Sequence, residues 1–87
     1  DPDLATVVRE PDGTLVIPGA FPVHDLVDLD VELPEGDYTT ISGLVLDELG
    51  RFPTIGETIE IEGWQIEIRA IHRHRIEQVA LRRIDPS

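Results

Sequence analysis

The chain has no cysteine, so a disulfide framework, a thiolate metal site and a thiol nucleophile are all closed to it. The small secreted scaffold and the zinc finger go together, and a reducing compartment is compatible with what is left. Long apolar runs are also missing. The longest, Leu15 to Val23, contains proline and falls well short of the roughly 20 residues a bilayer-spanning helix needs, and no signal-peptide pattern precedes it. Serine occurs only as Ser42 and Ser87, neither beside a histidine in sequence, which leaves nucleophilic catalysis without apparatus. The glycines are scattered, so no Gly-rich phosphate loop exists. Each of them reads as a turn or cap or, for Gly43, as close packing. The expectation is a non-enzyme.

Positive charge is almost absent from the first half. Residues 1–50 carry twelve acids and only Arg9, whereas residues 51–87 carry six acids and six arginines. The net charge of -11 therefore arises in the first half. Such a field repels phosphate backbones and anionic lipid heads, so binding to nucleic acid or to a membrane surface is not expected as a main role, and the short apolar runs give no direct membrane insertion. It attracts cations or a basic partner, or it serves only to keep the surface solvated. The chain of 87 residues makes one domain. At that size only about 60% of the unfolded surface is buried on folding, so the core is small.

Along the chain, Leu4 to Glu10 and Thr14 to Ile17 read as a hairpin across Pro11-Asp12-Gly13. Pro18-Gly19 ends the second strand, and Phe21 to Val27 begins a short helix with proline near its first position. Asp28 to Asp37 alternates acids with Leu29, Val31 and Leu33, a pattern that suits an extended connection. After Thr54-Ile55-Gly56 the apolar period is two: Ile59 and Ile61, a turn at Gly63, then Trp64, Ile66 and Ile68, and a last strand from Arg75 to Ile84. Trp64 reads as a core residue. With Arg73 and His74 at the hairpin tip, Ile68 faces Val79 and Ile66 faces Leu81. The same register puts Ile71 opposite Ile76 on the other face, beside Ala80. The order is ββααβββ, an α+β two-layer sandwich of about five mostly antiparallel strands with two helices.

The stretch from Asp37 to Gly56 holds the second helix. Ile41, Leu44, Val45 and Leu49 form its apolar stripe, Thr39 or Thr40 caps it, Gly50 suits the left-handed position after it and Pro53 blocks continuation. Glu48 falls inside the apolar arc. It reads as a solvent-facing residue of the last turn, the alternative being a buried functional carboxylate.

Two groups could hold a metal. His72 and His74 share a strand face, but a third ligand is missing and His24 is remote in sequence, so an exposed basic tip is the better reading. Asp28, Asp30 and Glu32 share a face if extended, and their oxygens suit Mg²⁺ or Ca²⁺, although the glycine and ligand order of an EF-hand are absent.

Asp37-Tyr38-Thr39-Thr40-Ile41-Ser42-Gly43 with Leu49-Gly50-Arg51-Phe52-Pro53-Thr54-Ile55-Gly56-Glu57 resembles the "D-Y-x-T-x-x-G... L-G-R-x-P-x-x-G-D/E" pattern of the transporter-associated domain of CorC/HlyC-type proteins. Gly13 to Asp25 is similar to its opening strand and helix and Arg75-Ile76-Glu77 to its last strand, so most of residues 4–84 are covered. His72-Arg73 stands where that family usually turns with Asp-Gly. The resemblance implies a single transporter-associated domain over residues 1–87, the C-terminal piece of a longer protein. It would lie on the cytoplasmic face of a membrane protein linked to magnesium and cobalt efflux, often after CBS domains, with a fold similar to part of certain FAD-binding domains. The start at Asp1 without an initiator methionine fits such a piece.

The function expected is a non-catalytic regulatory or assembly module. It would contact the CBS and transmembrane domains of its parent or form a homodimer, with Ile71, Ile76 and Ala80 as the contact face. The alternative is a small-ligand or metal sensor that binds a nucleotide or divalent cation.

Overall fold

Five strands and two helices alternate as ββ, two helices, βββ in the computed structural model, which describes residues 7–34 and 36–84. They are β1 (Val8–Arg9), β2 (Leu15–Pro18), a 3-10 helix (Val23–Leu29), α1 (Ile41–Leu49), β3 (Thr58–Ile61), β4 (Trp64–His72) and β5 (Arg75–Arg83). One sheet in the order β1-β2-β5-β4-β3 contains them all, every neighbour antiparallel. The α+β architecture and the element order are those read from the sequence. Leu4 to Thr6 of the expected first strand lie outside the described residues.

The first hairpin closes as its turn residues require. Gly13 takes φ +92° and donates to the Glu10 carbonyl at 2.8 Å, while Asp12 Oδ1 accepts the Thr14 N–H at 2.9 Å. Beyond it the early helix is of the tight 3-10 kind, and Pro22 is its cap rather than its first residue. It runs through Asp28 to Leu29 and stops at Asp30, whose φ of 63° turns the chain. The expected alternation from Asp28 is therefore lost.

Strand pairing builds the core by rows. Ile17, Val79 and Ile68 lie side by side across β2, β5 and β4, and Leu15, Leu81, Ile66 and Ile59 form the next row. Leu26 of the 3-10 helix and Ile41, Leu44 and Val45 of α1 cover those rows, with all but Ile59 buried. Burying each large aliphatic side chain contributes about 1.5–3 kcal/mol before chain entropy is counted. Helices on one face of the sheet make the sandwich.

For α1 the choice of cap is settled: Thr40 Oγ1 accepts the Gly43 N–H at 3.2 Å, while Thr39 is exposed. Gly50 ends the helix at φ 72° and donates to Leu46 O at 2.9 Å, and Glu48 is exposed. Thr40→Ala should cost about 1 kcal/mol and lower the melting temperature by about 4–8 °C. Thr39→Ala should stay within about 0.5 kcal/mol. Thermal melts of the two variants side by side check the assignment.

The strict two-residue period fails near the β4–β5 tip. Ile68 pairs with Val79 and Ile71 with Ile76, as expected, but Ala70 pairs with Gln78 between them, which leaves Arg69 and Glu77 as offsetting irregularities. Across the shift, Ile76 turns into the core beside Val79 and is only 5% exposed. The expectation that Ile76 lies on the opposite face is corrected. Ala80 does face away from the main cluster, yet it too is buried, in a row with Val16 and Glu67. Ile71 keeps partial exposure while packing on the core.

Candidate functional site

The Leu49 to Glu57 stretch folds into a clasp. Arg51 and Glu57 form a two-pronged ion pair, Arg51 Nη1 donating to Glu57 Oε1 at 3.1 Å, and the Thr54 N–H donates to the same oxygen at 3.1 Å. The Arg51 guanidinium first, and the Thr54 N–H second, hold the Glu57 carboxyl below its ordinary value. A carboxylate so depressed adds stability above the unfolded carboxyl's range, and loses it as pH falls through its own lower value. Glu57→Gln should therefore flatten the decline of unfolding free energy on acidification. Urea titrations from neutral to acid pH test the slope.

An open groove of about 680 Å³ lies at the end of the sheet that carries the β3–β4 turn. The connection after the 3-10 helix brings Asp30 and Glu32, the turn brings Glu62, and Val27, Leu33 and Trp64 supply apolar wall. Arg83 is held over the Trp64 ring at 5.3 Å from its centroid, because β4 and β5 pair Trp64 with Arg83. Trp64 is thus half-buried groove wall rather than a fully enclosed core residue. Asp30, Glu32 and Glu62 are all exposed, so the groove presents negative charge to solvent with one opposing guanidinium.

Of the three acids grouped by sequence, the structure brings Asp30 and Glu32 to this groove and leaves Asp28 on the 3-10 helix, outside it. Glu62 was not singled out by the pattern, although the register that pairs Ile66 with Leu81 also pairs Trp64 with Arg83 and so indicates this end of the sheet. Among the described residues, no three His, Cys, Asp or Glu side chains are placed to hold one metal ion. The carboxylates are spread along a wall, and a compact Mg²⁺ or Ca²⁺ ion needs its oxygens converging.

The β4–β5 tip stands at the other end of those strands. His72, Arg73, His74 and Arg75 are exposed, and His74 stacks on Phe52 with ring centroids 5.2 Å apart. A second groove, of about 350 Å³, opens between this tip and the start of α1. The outer face of the sheet is screened by ion pairs: Arg69 reaches Glu67 at 2.9 Å and Glu10 at 3.4 Å, and Arg82 reaches Asp12 at 3.4 Å. That network flanks the row holding Val16 and Ala80, which leaves Ala80 little surface to offer a partner.

The family described as transporter associated domain, CorC_HlyC, matches residues 8–85. The polyamine export protein of Escherichia coli (strain K12) is 28% identical over 82 residues, which cover 91% of this chain and 18% of that protein. The UPF0053 inner membrane protein YfjD of the same organism is 30% identical over 87 residues, covering 98% of this chain and 20% of its own length. The chain thus spans about a fifth of these relatives or less. Among solved structures, the transporter associated domain of a Xylella fastidiosa Temecula1 hemolysin, in complex with Mg²⁺ and Mn²⁺, superposes with a TM-score of 0.81. It is 32% identical, with 91% of this chain and 98% of that one covered.

Proposed function

The chain belongs to the transporter-associated domain family of CorC/HlyC-type proteins, and from that premise we propose that it is a non-catalytic regulatory or assembly module of a cation-transporting membrane protein. It works by contact, docking on CBS or transmembrane domains of its parent at the cytoplasmic face, or on a second copy. The observation that carries the reading is the match of 98% of this chain to a fifth of an inner membrane relative, since a piece of that size must act on what the rest of the protein does. Among the described residues, no helix is long and apolar enough to cross a membrane.

The test is deletion of residues 8–84 from the full-length parent, followed by cation flux in reconstituted vesicles. Altered flux with the remaining protein still folded and inserted is the expected result. Unchanged flux and unchanged assembly would sink the reading.

A second reading rests on the acidic groove. Separate carboxylates at Asp30, Glu32 and Glu62 around an apolar wall suit several ammonium groups on an aliphatic chain better than one bare divalent ion. A nucleotide phosphate would be repelled there. The export of polyamines by one relative points to the same chemistry. Calorimetry with spermidine and with Mg²⁺ separates the cases: saturable spermidine heat, diminished at least several-fold in Glu62→Gln, supports the sensor. Equal and unsaturable responses to both cations would leave only a solvated acidic surface.

A further inference from the structure

Apart from Arg9, which stands alone and exposed on β1, the arginines of this chain divide into two sets. Arg51, Arg69 and Arg82 are ion-paired and Arg83 lies over Trp64. Arg73 and Arg75 stand together at the β4–β5 tip with no ionic partner among the described residues, in a chain that has 18 acids. The tip is also an unusual turn. Arg73 and His74 both take positive φ, 52° and 63°, where a two-residue hairpin turn normally draws on Asn or Asp and Gly. Backbone strain of this kind persists where the surroundings hold it, and here the stacking of His74 on Phe52 does so.

The groove beside the tip is lined by both apolar and polar side chains. Ala20 and Leu46 are exposed on it, Leu46 at 38%, and Phe52 is half-buried beside them in the lining. Arg75 and Ser42 also line it, with Glu77 as the one carboxylate among the lining residues. The start of α1 cannot anchor an anion here. Its first three N–H groups are already used: Ile41 donates to Phe21 O, Ser42 to Gly19 O and Gly43 to Thr40 Oγ1. Among the lining residues the arginine that can meet a negative group is Arg75.

We propose that this groove docks an extended acidic segment, a carboxylate flanked by aliphatic residues, carried by another domain of the parent protein. The carboxylate pairs with Arg75, with Arg73 adding to the local field, and the aliphatic side chains lie on Leu46 and Phe52. An open groove of this size fits a chain passing through it better than an enclosed small molecule, most of whose surface must be buried. Charge complementarity selects the partner: the tip places two unpaired arginines side by side in a domain of net charge -11, so acidic segments are favoured there over the acidic faces. This inference rests on the assembly reading above and names its contact surface.

The test is amide-shift mapping by NMR on the ¹⁵N-labelled chain. The probes are a short capped peptide of alternating leucine and glutamate, its leucine–glutamine counterpart, and acetate at matched carboxylate concentration. Expected are saturable shifts at Ser42, Leu46, Phe52 and Arg75 with the glutamate peptide, at least tenfold weaker binding of the glutamine peptide, and only weak, unsaturated shifts with acetate. Arg75→Glu should weaken the glutamate peptide at least tenfold while its spectrum elsewhere stays that of the parent. No saturable shift in the groove, equal binding of both peptides, or an acetate response matching the peptide's would each overturn the proposal. Should Arg75→Glu leave full-length transport unchanged while deletion of the module alters it, this docking site falls and the module reading stands.

Discussion

Gly19→Ala is expected to destabilise the domain by about 3 kcal/mol or more, the upper end of what overpacking costs. A β-carbon built on Gly19 would sit 1.9 Å from the Ile76 carbonyl oxygen, a backbone atom that cannot swing aside. Neither can Gly19 retreat. Its N–H donates to Glu77 O at 2.9 Å, and its carbonyl accepts the Ser42 N–H at 2.9 Å, so the residue is clamped between β5 and the start of α1. The useful contrast is Gly50→Ala. Gly50 has positive φ and open space around it, so alanine there meets only the left-handed penalty of about 1–2 kcal/mol. Urea unfolding of both variants should rank Gly19→Ala clearly worse. A loss under about 1 kcal/mol at Gly19 would mean that β2 and the shifted register of β5 are not held as closely as described.

Ile76→Asp should abolish cooperative folding rather than merely a contact with a partner. Ile76 is 5% exposed among the core residues, so the change removes a packed aliphatic side chain and leaves a carboxyl without a partner. The two losses together amount to about 4 kcal/mol or more. Domains of this kind hold only about 5–15 kcal/mol in total, and a small core sits at the low end. Near-UV circular dichroism and amide dispersion should collapse in this variant, while Arg75→Asp, exposed one residue earlier, keeps both. A folded Ile76→Asp protein that changed only its self-association would restore the surface reading of Ile76.

These two residues show where the sequence was legible and where it was not. Gly19 beside Pro18 reads as the end of a strand, which is true, but its intolerance of a β-carbon comes from Ile76, far along the chain. Ile76 is placed on the wrong face by strict alternation, because the offset pairings around Ala70 and Gln78 switch the parity, and a register count cannot see a bulge. Asp28 is set apart from Asp30 and Glu32 for a local reason: the helix begun at Val23 continues through it instead of giving way to an extended strand. Trp64 and Arg83 lay within reach of sequence reasoning, since the same hairpin register pairs them. Their joint position on a groove with Asp30 and Glu32 did not, because it depends on where a distant loop packs.

What the sequence determined by itself is local and periodic: the cap at Thr40 or its neighbour, the stop at Gly50 and Pro53, the two-residue period of the last strands, and through these the family. Short-range hydrogen bonds and side-chain spacing fix such features within a few residues of each other. Tertiary structure alone decided which glycine tolerates no side chain, which isoleucine is core, and which charges face one another across a groove. Those outcomes depend on distances between segments far apart in the chain, set by the packing of β5 between β2 and β4.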